Sequence, residues 1–181
     1  WVRTNGAIQQ KRALEWLKQI VKILGFVHEE EFFHRDIKPS NIMWRQSDNK
    51  LMLIDFGAVK EINRIVINQN GISTTTRIGS PGYMAPEQSQ GQPVPQSDFY
   101  ALGRTFVYLL TGKHPQEIEN ERPISRWPEF INNGRISRSF IQLINDLMES
   151  PSRRPQNTQS ILARIDRIQE EIATQPPPNP P

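Results

Sequence analysis

The 181 residues contain no cysteine. Neither a disulfide nor a thiolate metal site can form, which fits a reducing, cytoplasmic setting. No apolar run reaches the roughly 20 residues that span a bilayer, and the opening WVRTNG has no signal-peptide pattern. Charge of one sign is also scarce. Lys and Arg number 22 against 19 Asp and Glu, leaving a net charge of +3 that is too small and too scattered to argue for a nucleic-acid partner. An initiator Met is missing too, so the chain reads as a piece of something longer.

What is present is enough for one domain with a proper core. Leu14, Leu17, Ile20, Val21, Leu24 and Val27 recur at three- and four-residue steps and predict a helix over 7–28. NIMW and LMLID flank the polar RQSDNK, which predicts a β-hairpin with Asp48 and Asn49 in its turn. Residues 57–82 show little periodicity, and a segment that long without clear structure is unusual unless it is functional. SDFYALGRTFVYLLTG is apolar nearly all round. It predicts a buried central helix with Ser97 as N-cap and Gly112 at its end. Three prolines break 113–135, and amphipathic helices follow over roughly 137–149 and 157–172. The Pro-rich stretch 173–181 reads as a disordered tail.

FFHRDIKPSNIMW, residues 32–44, packs His34, Arg35, Asp36, Lys38 and Asn41 between buryable residues. A solvated loop is the plain reading; a site for a charged ligand is the sharper one. IDFG (Asp55, Phe56, Gly57), GSPGYMAPE (79–87), the Asp98 of SDFYALG and the RRP ending at Pro155 complete an ordered set. Together they resemble the C-terminal lobe of a eukaryotic-like, bacterial-type Ser/Thr protein kinase. The resemblance covers the chain to about residue 165. It implies a mainly α fold with short β-hairpins over 1–172, with a catalytic loop at 34–41 and an activation segment at 55–87.

The resemblance implies roles residue by residue. Asp36 would orient the acceptor hydroxyl and take its proton. Lys38 would face the transferred phosphoryl group. Asn41 and Asp55 would hold Mg²⁺, a hard cation that prefers oxygen donors, as part of an ATP site to which Met43 and Ile54 lend adenine-pocket surface. Ordinary core packing is nearly as good a reading of those two apolar residues. His34 and Phe56 read as packing residues, and His28 and His114 have no ligand-like spacing. Glu87 and Arg154 would form a buried ion pair, and Asp98 would cap backbone N–H groups of the catalytic loop. Ser80 stands where the family usually has Thr, and its hydroxyl could bridge Asp36 and Lys38. Arg35 and Lys60 would bind a phosphate carried by Thr74, Thr75 or Thr76.

Within these 181 residues no G-x-G-x-x-G and no VAIK-type strand occurs. The N-terminal lobe, which would supply the glycine-rich cover and a phosphate-binding Lys, is therefore expected outside this chain as a partner of it. The function implied is transfer of the ATP γ-phosphate to Ser/Thr hydroxyls of a protein substrate, with the isolated fragment inactive and prone to self-association. The alternative is a regulatory pseudokinase or binding module. Small-molecule phosphotransferases share the Asp and Asn spacing but usually lack APE and the central-helix Asp.

Overall fold

The computed structural model describes residues 2–56, 60–61, 79–132 and 136–174. A short helix α1 (Val2–Asn5) ends at Gly6, and α2 (Gln10–Glu29) follows. The predicted start at residue 7 falls in an extended approach, because Gln9 at the N-cap still has β-region backbone. Ala13, Leu14, Leu17, Ile20, Val21 and Leu24 form the buried face of α2, as the three- and four-residue spacing requires. Gly25 lies inside this helix for a packing reason. A Cβ there would lie 3.2 Å from Thr158 Oγ1, so its absence lets α7 (Thr158–Thr174) approach closely.

The hairpin forms from β2 (Ile42–Arg45) and β3 (Lys50–Leu53), antiparallel with Ile42 opposite Leu53 and Arg45 opposite Lys50. Asn49 takes a left-handed conformation in the turn (φ 56°) and accepts from Trp44 Nε1 at 2.9 Å. Leu51 and Leu53 are buried, and Leu51 N–H donates to Gln19 Oε1 at 2.9 Å, tying the ribbon to α2. The resemblance implied more than one short ribbon, but nothing local in the sequence located the second. β1 (Phe32–Phe33) pairs antiparallel with β4 (Lys60–Glu61), and two-residue strands leave no periodic trace.

Helix α3 (Pro86–Ser89) leads to α4 (Pro95–Thr111), which is buried on all sides and ends at Gly112 with φ 75°. The expectation for Ser97 is corrected. Pro95 occupies the first helical turn, Val94 is the N-cap, and Ser97 Oγ reaches back to accept from Val94 N–H at 3.1 Å. The proline-broken stretch also holds more structure than expected. Pro115 opens α5 (Pro115–Glu121), where a proline lacks no useful donor. A 3₁₀ helix (Ile124–Phe130) then buries Trp127, whose Nε1 donates to Asn145 Oδ1 at 2.8 Å. Helix α6 (Arg138–Leu147) is capped by Ser137. Residues 173 and 174 continue α7, with Thr174 Oγ1 bonded to Glu170 and Glu171 carbonyls, so they do not belong to a tail. The rest of that expected tail, 175–181, lies outside the described residues.

The core therefore joins α2, α4, α6 and α7, with the β2–β3 ribbon laid on α2. The architecture is mainly helical with two short ribbons. Residues 30–41 run across the end of α4, and the charged stretch of the sequence lies there.

Candidate active site

Asp98, on the first turn of α4, organises the loop. Its side chain is buried and accepts from His34 N–H at 2.9 Å and Arg35 N–H at 2.8 Å. A third bond comes from His28 Nε2 at 2.9 Å, which makes that nitrogen the protonated one. His28 also lies against Phe33 and Phe99. It is a structural residue whose partner stands 70 positions away, and its spacing carried no hint of this. His34 is fully buried; its Nε2 meets Ile54 O at 3.2 Å and its ring packs 4.8 Å from Phe56. Phe56, read as a packing residue, is 44% exposed beyond that contact.

Asp36 lies at the centre of a compact cluster. Its Oδ1 accepts from Ser80 Oγ at 2.7 Å, and its Oδ2 accepts from Lys38 Nζ at 2.7 Å and Asn41 Nδ2 at 3.1 Å. Lys38 Nζ also donates to Ser80 Oγ at 2.6 Å, closing a ring in which Ser80 is more than 40 positions from the other two residues. Burial pushes the Asp36 carboxyl up, but the Lys38 and Ser80 hydrogen bonds, the Lys38 charge and Asn41 outweigh it. The net shift is downward, and Asp36 is a carboxylate at neutral pH. It can align a hydroxyl donor strongly, while remaining a weak base.

Asn41 spends its amide nitrogen on Asp36, at 2.8 Å to the carbonyl as well as to the carboxylate. Its amide oxygen meets Ser40 Oγ only at 3.4 Å. The ladder bond from Ile54 N–H to Asn41 O at 2.9 Å extends the β2–β3 ribbon and sets Asp55 beside Asn41. The Asp55 carboxylate is exposed and has no partner among the described residues. One amide oxygen and one carboxylate at the mouth of the ribbon suit a cation that keeps waters and phosphate oxygens in its shell, as Mg²⁺ does. Among the described residues no cluster of three His, Cys, Asp or Glu offers a protein cage instead. Both Arg35 (φ 67°) and Asp55 (φ 63°) hold left-handed backbone. Such residues cost on the order of 1 kcal/mol or more and persist where the surroundings over-determine them.

Arg35 has its N–H on Asp98 and its carbonyl on Gln88 Nε2 at 2.6 Å. Its side chain is buried, and Nε has no partner among the described residues. Burial lowers its pKa, and the Asp98 charge opposes that. Lys60 stands opposite Phe33 in the β1–β4 ribbon, which brings its backbone to the same corner. Thr74, Thr75 and Thr76 lie outside the described residues.

Glu87 and Arg154 are joined in two contacts, 2.5 Å and 3.1 Å. Arg154 also donates to Glu149 O and Gln96 O and stacks 4.9 Å over Tyr100. Burial raises the Glu87 carboxyl, but Arg154 and Ser97 hydrogen bonds bring it below its ordinary value. Arg153 is largely exposed and takes no part in the pair. Met43 is 48% exposed opposite Met52, so it is no core residue, and Ile54 is half-buried.

The sequence reading missed Arg104. It is buried on α4, donates from Nε to Gly82 O at 2.7 Å, and grips Glu119 of α5 with both terminal nitrogens at 2.7 Å. A cation within an otherwise apolar helix is the signal that could have found it.

A mainly helical body with a carboxylate–lysine–asparagine loop at the end of its buried central helix defines a kinase-like fold. The chain belongs to the protein kinase family: residues 1–164 match its protein kinase domain. It is 47% identical over 121 residues to the serine/threonine-protein kinase PknA of Nostoc sp., covering 66% of this chain and 22% of that protein. It is 36% identical over 172 residues to serine/threonine-protein kinase B of Synechocystis sp., covering 91% of this chain and 29% of that protein. To PknB of Mycolicibacterium smegmatis it is 35% identical over 116 residues, with coverage of 63% and 18%. The chain thus spans less than a third of the length of each of these three relatives. Among the described residues no helix is long and apolar enough to cross a membrane.

Proposed function

We propose that this chain is the C-terminal lobe of a Ser/Thr protein kinase whose full-length form transfers the ATP γ-phosphate to Ser or Thr hydroxyls of proteins in the cytoplasm, where ATP is available. The observation that carries this reading is the Asp36–Lys38–Ser80–Asn41 cluster beside Asp55. Mg-ATP, when bound, supplies the transferable phosphoryl group. Asn41 and Asp55 would hold the metal, and Met43 with Ile54 would give surface to the adenine. Asp36, ionised and held on three sides, positions the acceptor hydroxyl and receives its proton late, as a loose transition state permits. Lys38 neutralises charge next to the same oxygen atoms. Asp98, Glu87 and Arg154 keep these groups in place, and Arg35 with Lys60 reads a phosphate on 74–76. Because relatives extend well beyond this stretch and it contains no glycine-rich phosphate loop, the N-terminal lobe is assigned to residues outside it. The test is phosphate incorporation from Mg-ATP by the full-length protein. Asp36→Asn should lower the rate about 10²–10⁴-fold without changing the melting temperature by more than a few degrees. Equal rates in both forms would refute the assignment.

A further inference from the structure

A cavity of about 760 Å³ opens beside the reaction cluster and is walled partly by Lys38 itself. That size lies within the range of specific ligand pockets. Its walls come from five places in the chain: α1, α2, the 38–40 loop, the β2–β3 ribbon and the segment from Tyr83 to His114. Five rings line it, those of Trp16, Trp44, Tyr83, Tyr108 and His114, beside uncharged polar side chains such as Asn5 and Gln46. No Asp or Glu lines it among the described residues, and its cation, Lys38, is already bonded to Asp36 and Ser80.

One wall is held rigidly. Tyr83 meets His114 edge to face at 5.1 Å, and His114 is fixed by accepting from Gln116 N–H at its Nδ1. Gly82 takes φ 84°, and a Cβ there would come within 2.5 Å of the His114 ring, so the turn and α5 touch with no slack. Arg104 clamps the same contact by holding Gly82 O and Glu119 together. A wall preorganised in this way costs little to order when a ligand arrives.

We infer that this cavity is a substrate-specificity pocket that takes an uncharged aromatic or branched apolar side chain of the protein substrate and rejects arginine and lysine. The inference rests on the kinase reading above. With the acceptor hydroxyl at Asp36, an extended substrate advances about 3.3 Å per residue. A side chain within about four residues of the acceptor then passes over the cavity that Lys38 shares. An aromatic ring gains contact area against the two tryptophans and two tyrosines. A substrate cation would lose water there and find no carboxylate in return.

The experiment uses the full-length protein and synthetic Gly/Ala peptides with one Ser acceptor and a single Phe, Gly, Arg or Asp placed at each flanking position. Two readouts are taken: Asp36-dependent phosphate incorporation, and the change in tryptophan fluorescence on peptide binding. Phe at one position should raise kcat/KM about tenfold or more over Gly at the same position, with Arg below Gly. Phe peptides alone should shift the fluorescence. Ser40→Glu, which places a carboxylate at the exposed rim, should raise the rate of the Arg peptide relative to that of the Gly peptide measured with the same variant. Equal rates and equal fluorescence for all peptides, or a preference for Arg in the unsubstituted protein, would overturn the pocket while leaving the kinase reading intact. A fluorescence shift specific to Phe peptides with no Asp36-dependent incorporation would uphold the pocket and remove the kinase reading.

Discussion

Replacing Glu87 by Leu should be among the most destabilising single changes available. Arg154 is 3% exposed, so without Glu87 its guanidinium is left buried with no countercharge. The carbonyls of Glu149 and Gln96 and the Tyr100 ring remain, but none carries a countercharge. Breaking a buried pair from one side costs about 3–5 kcal/mol, and Glu87→Leu should fall at the upper end. Arg154→Leu should fall at the lower end, since Glu87 keeps Ser97 Oγ at 2.7 Å, is less completely buried and can take up a proton. At about 2–4 °C per kcal/mol for a domain of this size, the melting temperature should drop by roughly 6–20 °C. The double variant to Leu and Leu should recover part of the loss, because neither charge is then left alone. The pH dependence has a definite sign. The folded-state Glu87 pKa is depressed, so the pair's contribution is complete above the ordinary value of 4.5 and is lost as pH falls through the lowered folded value. Urea unfolding followed by circular dichroism at pH 7 and through the acid range measures all three variants. A loss below about 1 kcal/mol for Glu87→Leu, or strictly additive single changes, would refute the buried-pair argument.

Other outcomes follow from the same geometry. In the full-length protein, replacing Thr74, Thr75 and Thr76 together by Ala should lower the rate and abolish a phosphate that pairs with Arg35 and Lys60; unchanged activity with phosphopeptide maps empty over 73–77 would refute it. Asp98→Ala strands the N–H groups of His34 and Arg35 and the His28 ring, and should cost about 1–3 kcal/mol for each unpaired buried group, read by denaturant unfolding. The isolated 181-residue chain should transfer little phosphate, and robust Asp36-dependent incorporation by it would count against the lobe assignment. Met43 and Phe56 are 48% and 44% exposed beside Ile54, so the isolated chain should self-associate. Light scattering that shows only monomer at high concentration would contradict this.

The parts legible in the linear sequence are those with local causes. The face of α2 follows from the spacing of Leu14, Leu17, Ile20, Val21 and Leu24, and the ribbon follows from two apolar runs around a polar turn. The end of α4 at Gly112 follows from its φ of 75°, which glycine adopts freely. Asp36, Lys38 and Asn41 lie within six residues, so their convergence needs only one loop. Tertiary structure alone decided the rest. His28 serves Asp98 because α2 and α4 cross where 70 residues of chain have intervened. Ser80 reaches Asp36 across 44 positions, a bridge that the family resemblance anticipated but no local pattern in the sequence encodes, and Arg104 grips both Gly82 and Glu119. The β1–β4 ribbon has strands too short for any period, and α5 starts at a proline that by itself reads as a break. Periodicity reports which face of an element is buried. It carries nothing about which polar atom on another element meets it there, because that depends on helix crossing and on the desolvation cost of leaving either atom unpaired.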